Sequence, residues 1–249
     1  MKTNSLRRLT GVLFVLGAIL VNIPYFLLIT NFNYPDILRE PPGVILTQFQ
    51  QGGTGLIFTW FAFAWMCIPL FFAIILLQKV LEREEIQYLG SATLIGLIGA
   101  IAQMVGLLRW VFVVPVLAQN YTHPGSSAAA REAITVAFQV VHQFGGVLLG
   151  EHIGQTFTIL WMFLISLALL RSHLSRPWLS WLGIVASFVY LLAQTELFAT
   201  IIPDFPIVPE AGLLGSLLWL GWMICLGVTL WRAKNAESEP ITLNTAITR

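Results

Sequence analysis

The sequence predicts an all-α integral membrane bundle of six transmembrane helices, with one further helix lying at the outer face. Three observations predict it. Of 249 residues, 57% are hydrophobic and only 10% are charged, where a soluble domain carries about 25% charged residues. A soluble chain of this length could not hide so much apolar surface from water. The apolar residues also gather into runs long enough to cross a bilayer, which takes about 20 residues each. Finally, the Lys and Arg residues between the runs fall almost entirely on alternate sides. The net charge of +1 offers no basic field for nucleic acid, so that class of partner is set aside.

Six spans follow from the runs. They cover about Leu9 to Ile29, Gly55 to Leu77, Tyr88 to near Leu117, Gln155 to Leu170, Trp178 to Thr200 and Ala211 to Trp231. The first has the look of a signal peptide, because Lys2, Arg7 and Arg8 precede it. Its apolar core exceeds the roughly 7–15 residues of such a signal, and no small-residue cleavage site follows. Asn22, Ile23 and Pro24 stand where that site would be. It reads as an uncleaved anchor.

The stretch from Arg131 to Gly150 is long enough to make a seventh span, and loop charge decides against it. With six spans the cytoplasmic side holds Lys2, Arg7, Arg8, Lys79, Arg83, Arg171, Arg176, Arg232, Lys234 and Arg249. Arg39 and Arg131 remain outside, with Arg109 in or near the membrane. A seventh span would move five of those cytoplasmic residues outside and erase the bias. Both termini are therefore expected in the cytoplasm. Residues 131–149 become an interfacial or re-entrant outer helix, with an ordinary spanning helix as the alternative. Ile134, Ala137, Phe138, Val141 and Leu148 share one face, and Arg131, Thr135, Gln139 and His142 the other. Gly145, Gly146, Gly150 and Gly154 would let the chain turn before the next span.

The rest of the chain reads as scaffold. Ala92, Gly96 and Ala100 form a small-residue stripe that lets helices approach closely. Pro24, Pro69 and Pro115 should kink or end their helices. Trp178, Trp181 and Trp231 suit the headgroup layer. Residues 1–232 are read as one transmembrane domain. Residues 233–249 are polar and aperiodic, and read as a disordered cytoplasmic tail. Cys67 and Cys225 sit inside spans as small apolar residues.

Familiar catalytic and nucleotide motifs are missing from the sequence. What remains is a set of polar side chains that topology gathers toward the outer half. Gly150, Glu151 and His152, with His142 upstream, could form an open metal site or an acid–base pair. A spacing of ten positions between the two His matches no compact metal motif, so no metal is assigned and no cofactor is expected. Glu151 and His152 could instead cap the start of the fourth span. Arg109 and Glu196 form a second feature. Arg109 either snorkels at the interface or is buried and needs a carboxylate, for which Glu196 is the candidate.

Three stretches carry a resemblance. Residues 31–39 (Asn-Phe-Asn-Tyr-Pro-Asp-Ile-Leu-Arg), 107–115 (Leu-Leu-Arg-Trp-Val-Phe-Val-Val-Pro) and 150–154 (Gly-Glu-His-Ile-Gly) resemble a family of small bacterial polytopic membrane proteins defined only as a domain of unknown function. The resemblance covers most of the chain apart from its tails. It implies a bacterial cell membrane location, and it supplies no activity, cofactor or site residue.

Three functions remain open from the sequence. The first is a membrane-embedded protein that binds, or acts on, a small or lipid-like ligand entering from the outer leaflet. Its candidate residues are His142, Glu151, His152, Arg109 and Glu196. The second is a structural or regulatory membrane subunit without a ligand of its own. The third is a small transporter, for which the cytoplasmic half offers little beyond Gln103. A cavity lined by the five candidates would favour the first, and solid packing the second.

Overall fold

The computed structural model describes residues 3–84, 86–172 and 174–232. The tail expected over 233–249 lies outside them. The described residues are 86% helical, with no strand among them. Its helices are α1 (Thr3–Phe32), α2 (Pro42–Trp65), α3 (Ile68–Leu81), α4 (Leu89–Phe112), α5 (Val114–Thr122) and α6 (Ala128–Val141), then a π-helix π1 (His142–Ile153), then α7 (Gly154–Arg171), α8 (Pro177–Leu192), α9 (Gln194–Ala199) and α10 (Ala211–Arg232). They join into six stretches long and apolar enough to cross a membrane. The protein is therefore an all-α, membrane-embedded bundle of six spans, as the apolar runs predict.

Helix lengths show where the bundle extends past lipid. The second, third and fourth stretches contain 40, 34 and 44 residues. At about 1.5 Å per residue each is well over the roughly 30 Å hydrocarbon thickness. The surplus gathers at one end. Gly11 of α1 packs against Gly227 and Trp231 of α10, so the first and last helices share the other, proximal end. At the distal end the first half of α2, α5 and α6 pack together, under the loop 33–41.

Breaks occur where the sequence supplies a cause. The second span starts at Pro42 rather than near Gly55, and Gly53 interrupts α2 with φ +56°. That left-handed value suits a residue without a Cβ. Pro69 and Pro115 sit in the first turns of α3 and α5, just after the interruptions at Cys67 and Val113. A proline is tolerated there because its missing N–H has no helical partner anyway. Pro24 does not end α1, which runs on to Phe32.

The helix expected over 131–149 is present, but no turn separates it from the fourth span. α6, π1 and α7 run on as a single stretch from Ala128 to Arg171. Its glycines allow close approach instead of folding the chain back. Gly106 of α4 meets Gly145 and Gly150, and a Cβ at Gly146 would strike the Arg109 guanidinium. The small-residue stripe of α4 thus continues beyond Ala92 and Gly96 to Gly99 and Gly106, all buried.

Two hydrophobic cores result. The proximal one joins α1, α3, α4, α7, α8 and α10 around Phe14, Trp161, Met162 and Trp222. The distal one is aromatic, with Phe32, Phe49, Trp60, Trp110 and Phe138. Trp60 and Trp110 stack at 4.8 Å between centroids with planes 10° apart. Phe32 meets both rings edge-on.

Candidate functional site

The site grows from α4 and π1, whose glycines bring two backbones together around one arginine. Arg109 is 8% exposed. Its Nη1 donates to the Gly106 carbonyl, and its guanidinium carbon lies 5.2 Å from the Trp110 ring centroid. Its Nε has no hydrogen-bond partner among the described residues. Arg109 is thus buried inside the protein, on a helix that runs past it to Phe112.

Its expected partner is not Glu196. Arg39, from the loop after α1, donates to Glu196 Oε1 from Nη2 at 2.7 Å and from Nε at 3.1 Å. Glu196 lies in α9, after the fifth span breaks at Ala193. Arg39 can reach it because the loop 33–41 folds over the distal end, which apolar periodicity does not reveal. Glu151 Oε2 lies 3.9 Å from Arg39 Nη2, and its side chain is 22% exposed.

Arg109 and Glu151 line the same cavity, of about 70 Å³, with Tyr34, Trp60, Trp110 and Gln155 among its walls. The indole N–H groups of Trp60 and Trp110 are buried without partners among the described residues. Burial pushes the Tyr34 phenol well above its ordinary pKa, and the Glu151 carboxylate adds to that shift while Arg109 opposes it. Tyr34 therefore stays a neutral donor at physiological pH. The cavity lining thus includes one guanidinium, one carboxylate, a phenol, two indoles and the amides of Gln103 and Gln155.

A second cavity, of about 110 Å³, lies deeper in the bundle and is lined mostly by apolar residues such as Phe14, Leu70, Met104 and Trp161. Gln103 and Leu107 line both cavities. Gln103 Nε2 donates to Thr158 Oγ1 at 2.8 Å and to the Gly154 carbonyl at 3.2 Å. A polar compartment and an apolar one thus share a wall, with a fixed amide between them.

The two candidate histidines go separate ways. His142 stacks on Phe138 at 5.5 Å and meets Trp110 edge-on, behind the cavity wall. His152 Nδ1 lies 2.8 Å from Gln194 Oε1, and its ring meets Phe198 edge-on. Gln194 in turn donates to Gln155 Oε1 at 2.9 Å. His152 therefore reaches the cavity only through two glutamines. Among the described residues no group of three His, Cys, Asp or Glu is placed to hold a metal ion. The helix-cap alternative for Glu151 and His152 also fails, because both lie inside a continuous helix with no start at residue 150.

Of the five candidates, the structure brings Arg109 and Glu151 together at one cavity. Glu196 joins them through Arg39, while His142 and His152 stand behind. Trp60, Tyr34, Gln155 and Gln194 are absent from the sequence-derived candidates. Tyr34 and Trp110 fall within the quoted stretches 31–39 and 107–115, which is a usable signal. Trp60 carries none, being one more aromatic in an apolar run, whereas Gln155 directly follows the quoted stretch 150–154 and Gln194 stands two residues before Glu196.

Fold and site together define a multi-pass helical membrane protein with a charged, donor-lined cavity near one end. Residues 9–227 match the family model described as Domain of unknown function (DUF4386), and the chain belongs to that family. No curated protein and no solved structure matches it.

Proposed function

We propose that the protein binds an amphiphile within the membrane, its polar head in the distal cavity and its hydrocarbon in the deeper one. The observation that carries this reading is the buried, unpaired face of Arg109. A charge in the hydrocarbon region is costly unless it finds a partner. Among the described residues no carboxylate lies within ion-pair distance of Arg109, so a ligand acceptor is the missing partner. The apolar cavity beyond Gln103 and Leu107 suits a single hydrocarbon segment. Arg109, Glu151 and Tyr34 are the residues we assign to head binding, with Trp60 and Trp110 as neutral donors. His142 and His152 hold the walls. The ligand enters from the outer leaflet, the protein sits in the cell membrane, and both termini face the cytoplasm.

Native mass spectrometry of the detergent-purified protein tests the binding. A single amphiphile should stay bound to the wild type and be lost in Arg109→Met. Absence of any amphiphile on the wild type, even when added, would refute the reading. Reporter fusions after Arg176 and after Lys234 should both read as cytoplasmic, and an external signal from either would invert the topology.

A further inference from the structure

Resting on that reading, we infer that the head held at the distal cavity is a zwitterion, with its anionic group on Arg109 and an ammonium bearing N–H groups on Glu151. The lining of one cavity carries two opposite charges, Arg109 and Glu151, that form no ion pair with each other. Arg109 Nε has no partner among the described residues, nor have the buried indole N–H groups of Trp60 and Trp110 in the same lining. In the same lining, no donor among the described residues forms a hydrogen bond to the Glu151 carboxylate, and Arg39 lies 3.9 Å from it. Arg39 already gives its two short hydrogen bonds to Glu196.

Charge bookkeeping across the cluster points the same way. Arg39, Arg109, Glu151 and Glu196 sum to zero. A simple anion would leave one uncompensated negative charge in a poorly solvated site, and a simple cation the reverse. A zwitterion satisfies both walls and keeps the sum at zero. Glu151 faces the ligand as a hydrogen-bond acceptor, and a carboxylate bonds an N–H cation more strongly than a fully alkylated one, which has nothing to donate. The small volume, about 70 Å³, also favours a compact ammonium. The class is thus a single-chain amphiphile whose head combines a phosphate or carboxylate with a primary or secondary ammonium.

The test uses full-length protein in detergent and lysophospholipids of one acyl chain with three heads: phosphoethanolamine, phosphocholine and phosphoglycerol. Binding is read by native mass spectrometry in competition. The phosphoethanolamine form should bind at least about tenfold more tightly than either other form, equivalent to about 1.4 kcal/mol. Glu151→Gln should bring the ethanolamine and glycerol forms to equal affinity without abolishing binding. Equal or tighter binding of the glycerol form by the wild type would overturn the zwitterion inference, and equal or tighter binding of the choline form would overturn the N–H donation to Glu151; either result leaves the amphiphile site standing. The wild-type ranking decides this even if the variant fails to fold. Binding of none of the three would overturn the amphiphile reading itself. Free phosphoethanolamine should compete poorly, because it leaves the apolar cavity unused. Competition as strong as that of the lysolipid would also overturn that reading.

Discussion

The proximal and distal cores are both built around buried tryptophans, yet the one buried charged side chain among the described residues, Arg109, belongs to the distal core. In the proximal core Trp222 is 0% exposed and packs edge-on to Trp161 at 5.6 Å. Its polar neighbours are small hydroxyls such as Ser166 and Ser180, which are fully buried. In the distal core Trp110 is equally buried, but Arg109 stands over its ring and an ion pair closes the surface above. The first arrangement holds helices together. The second accepts the cost of a buried guanidinium, which packing alone does not require. That difference is what supports the proposed binding at the distal end.

The contrast can be broken by substitution, and the largest effect is expected proximally. Trp222→Ala should cost about 3–5 kcal/mol through the cavity it leaves, seen as a large fall in melting temperature in detergent. A variant that melts like the wild type would mean the proximal core is not the main source of stability. Gly146→Ala should cost less, about 1–3 kcal/mol. Its new Cβ would meet the Arg109 guanidinium 2.8 Å from Cζ, so amphiphile binding should fall more than stability does. Normal binding by this variant would detach Arg109 from the site.

Arg109→Met sharpens the comparison further. It removes a buried charge with no carboxylate partner among the described residues, so stability should stay within about 1 kcal/mol of the wild type or rise. A loss of several kcal/mol would make Arg109 a structural residue like Trp222. The smallest effect belongs to Glu196→Gln. Its pair with Arg39 is exposed, at 39% and 47%, and such pairs contribute about 1 kcal/mol or less. Thermal melting at low and high salt should show little change, and a large loss would give the pair a role in holding the loop 33–41.

Much of the fold was legible because lipid imposes a length rule. Leu9 to Ile29 and Ala211 to Trp231 fall inside α1 and α10. The rule fails where a helix leaves the membrane, since hydropathy then fades while the helix continues. Ala128 to Val141 is such a case, and so is the start of α2 at Pro42. The glycines of 145–154 read as a turn because glycine permits one, but the facing stripe on α4 gave them a packing role. At the site, Arg109 and Glu151 stood out because charges are rare in apolar runs. The partner of Glu196 did not, since Arg39 and Glu196 are 157 residues apart and nothing in either run points to the other. Trp60 and Gln155 escaped for a related reason: only the three-dimensional cavity separates them from scaffold residues.

The central claim is that Arg109 serves a ligand rather than the fold. Measuring melting temperature and bound amphiphile on the same preparations of wild type and Arg109→Met tests it most directly. The account predicts an unchanged or higher melting temperature with the amphiphile lost. A lower melting temperature with the amphiphile retained would contradict it.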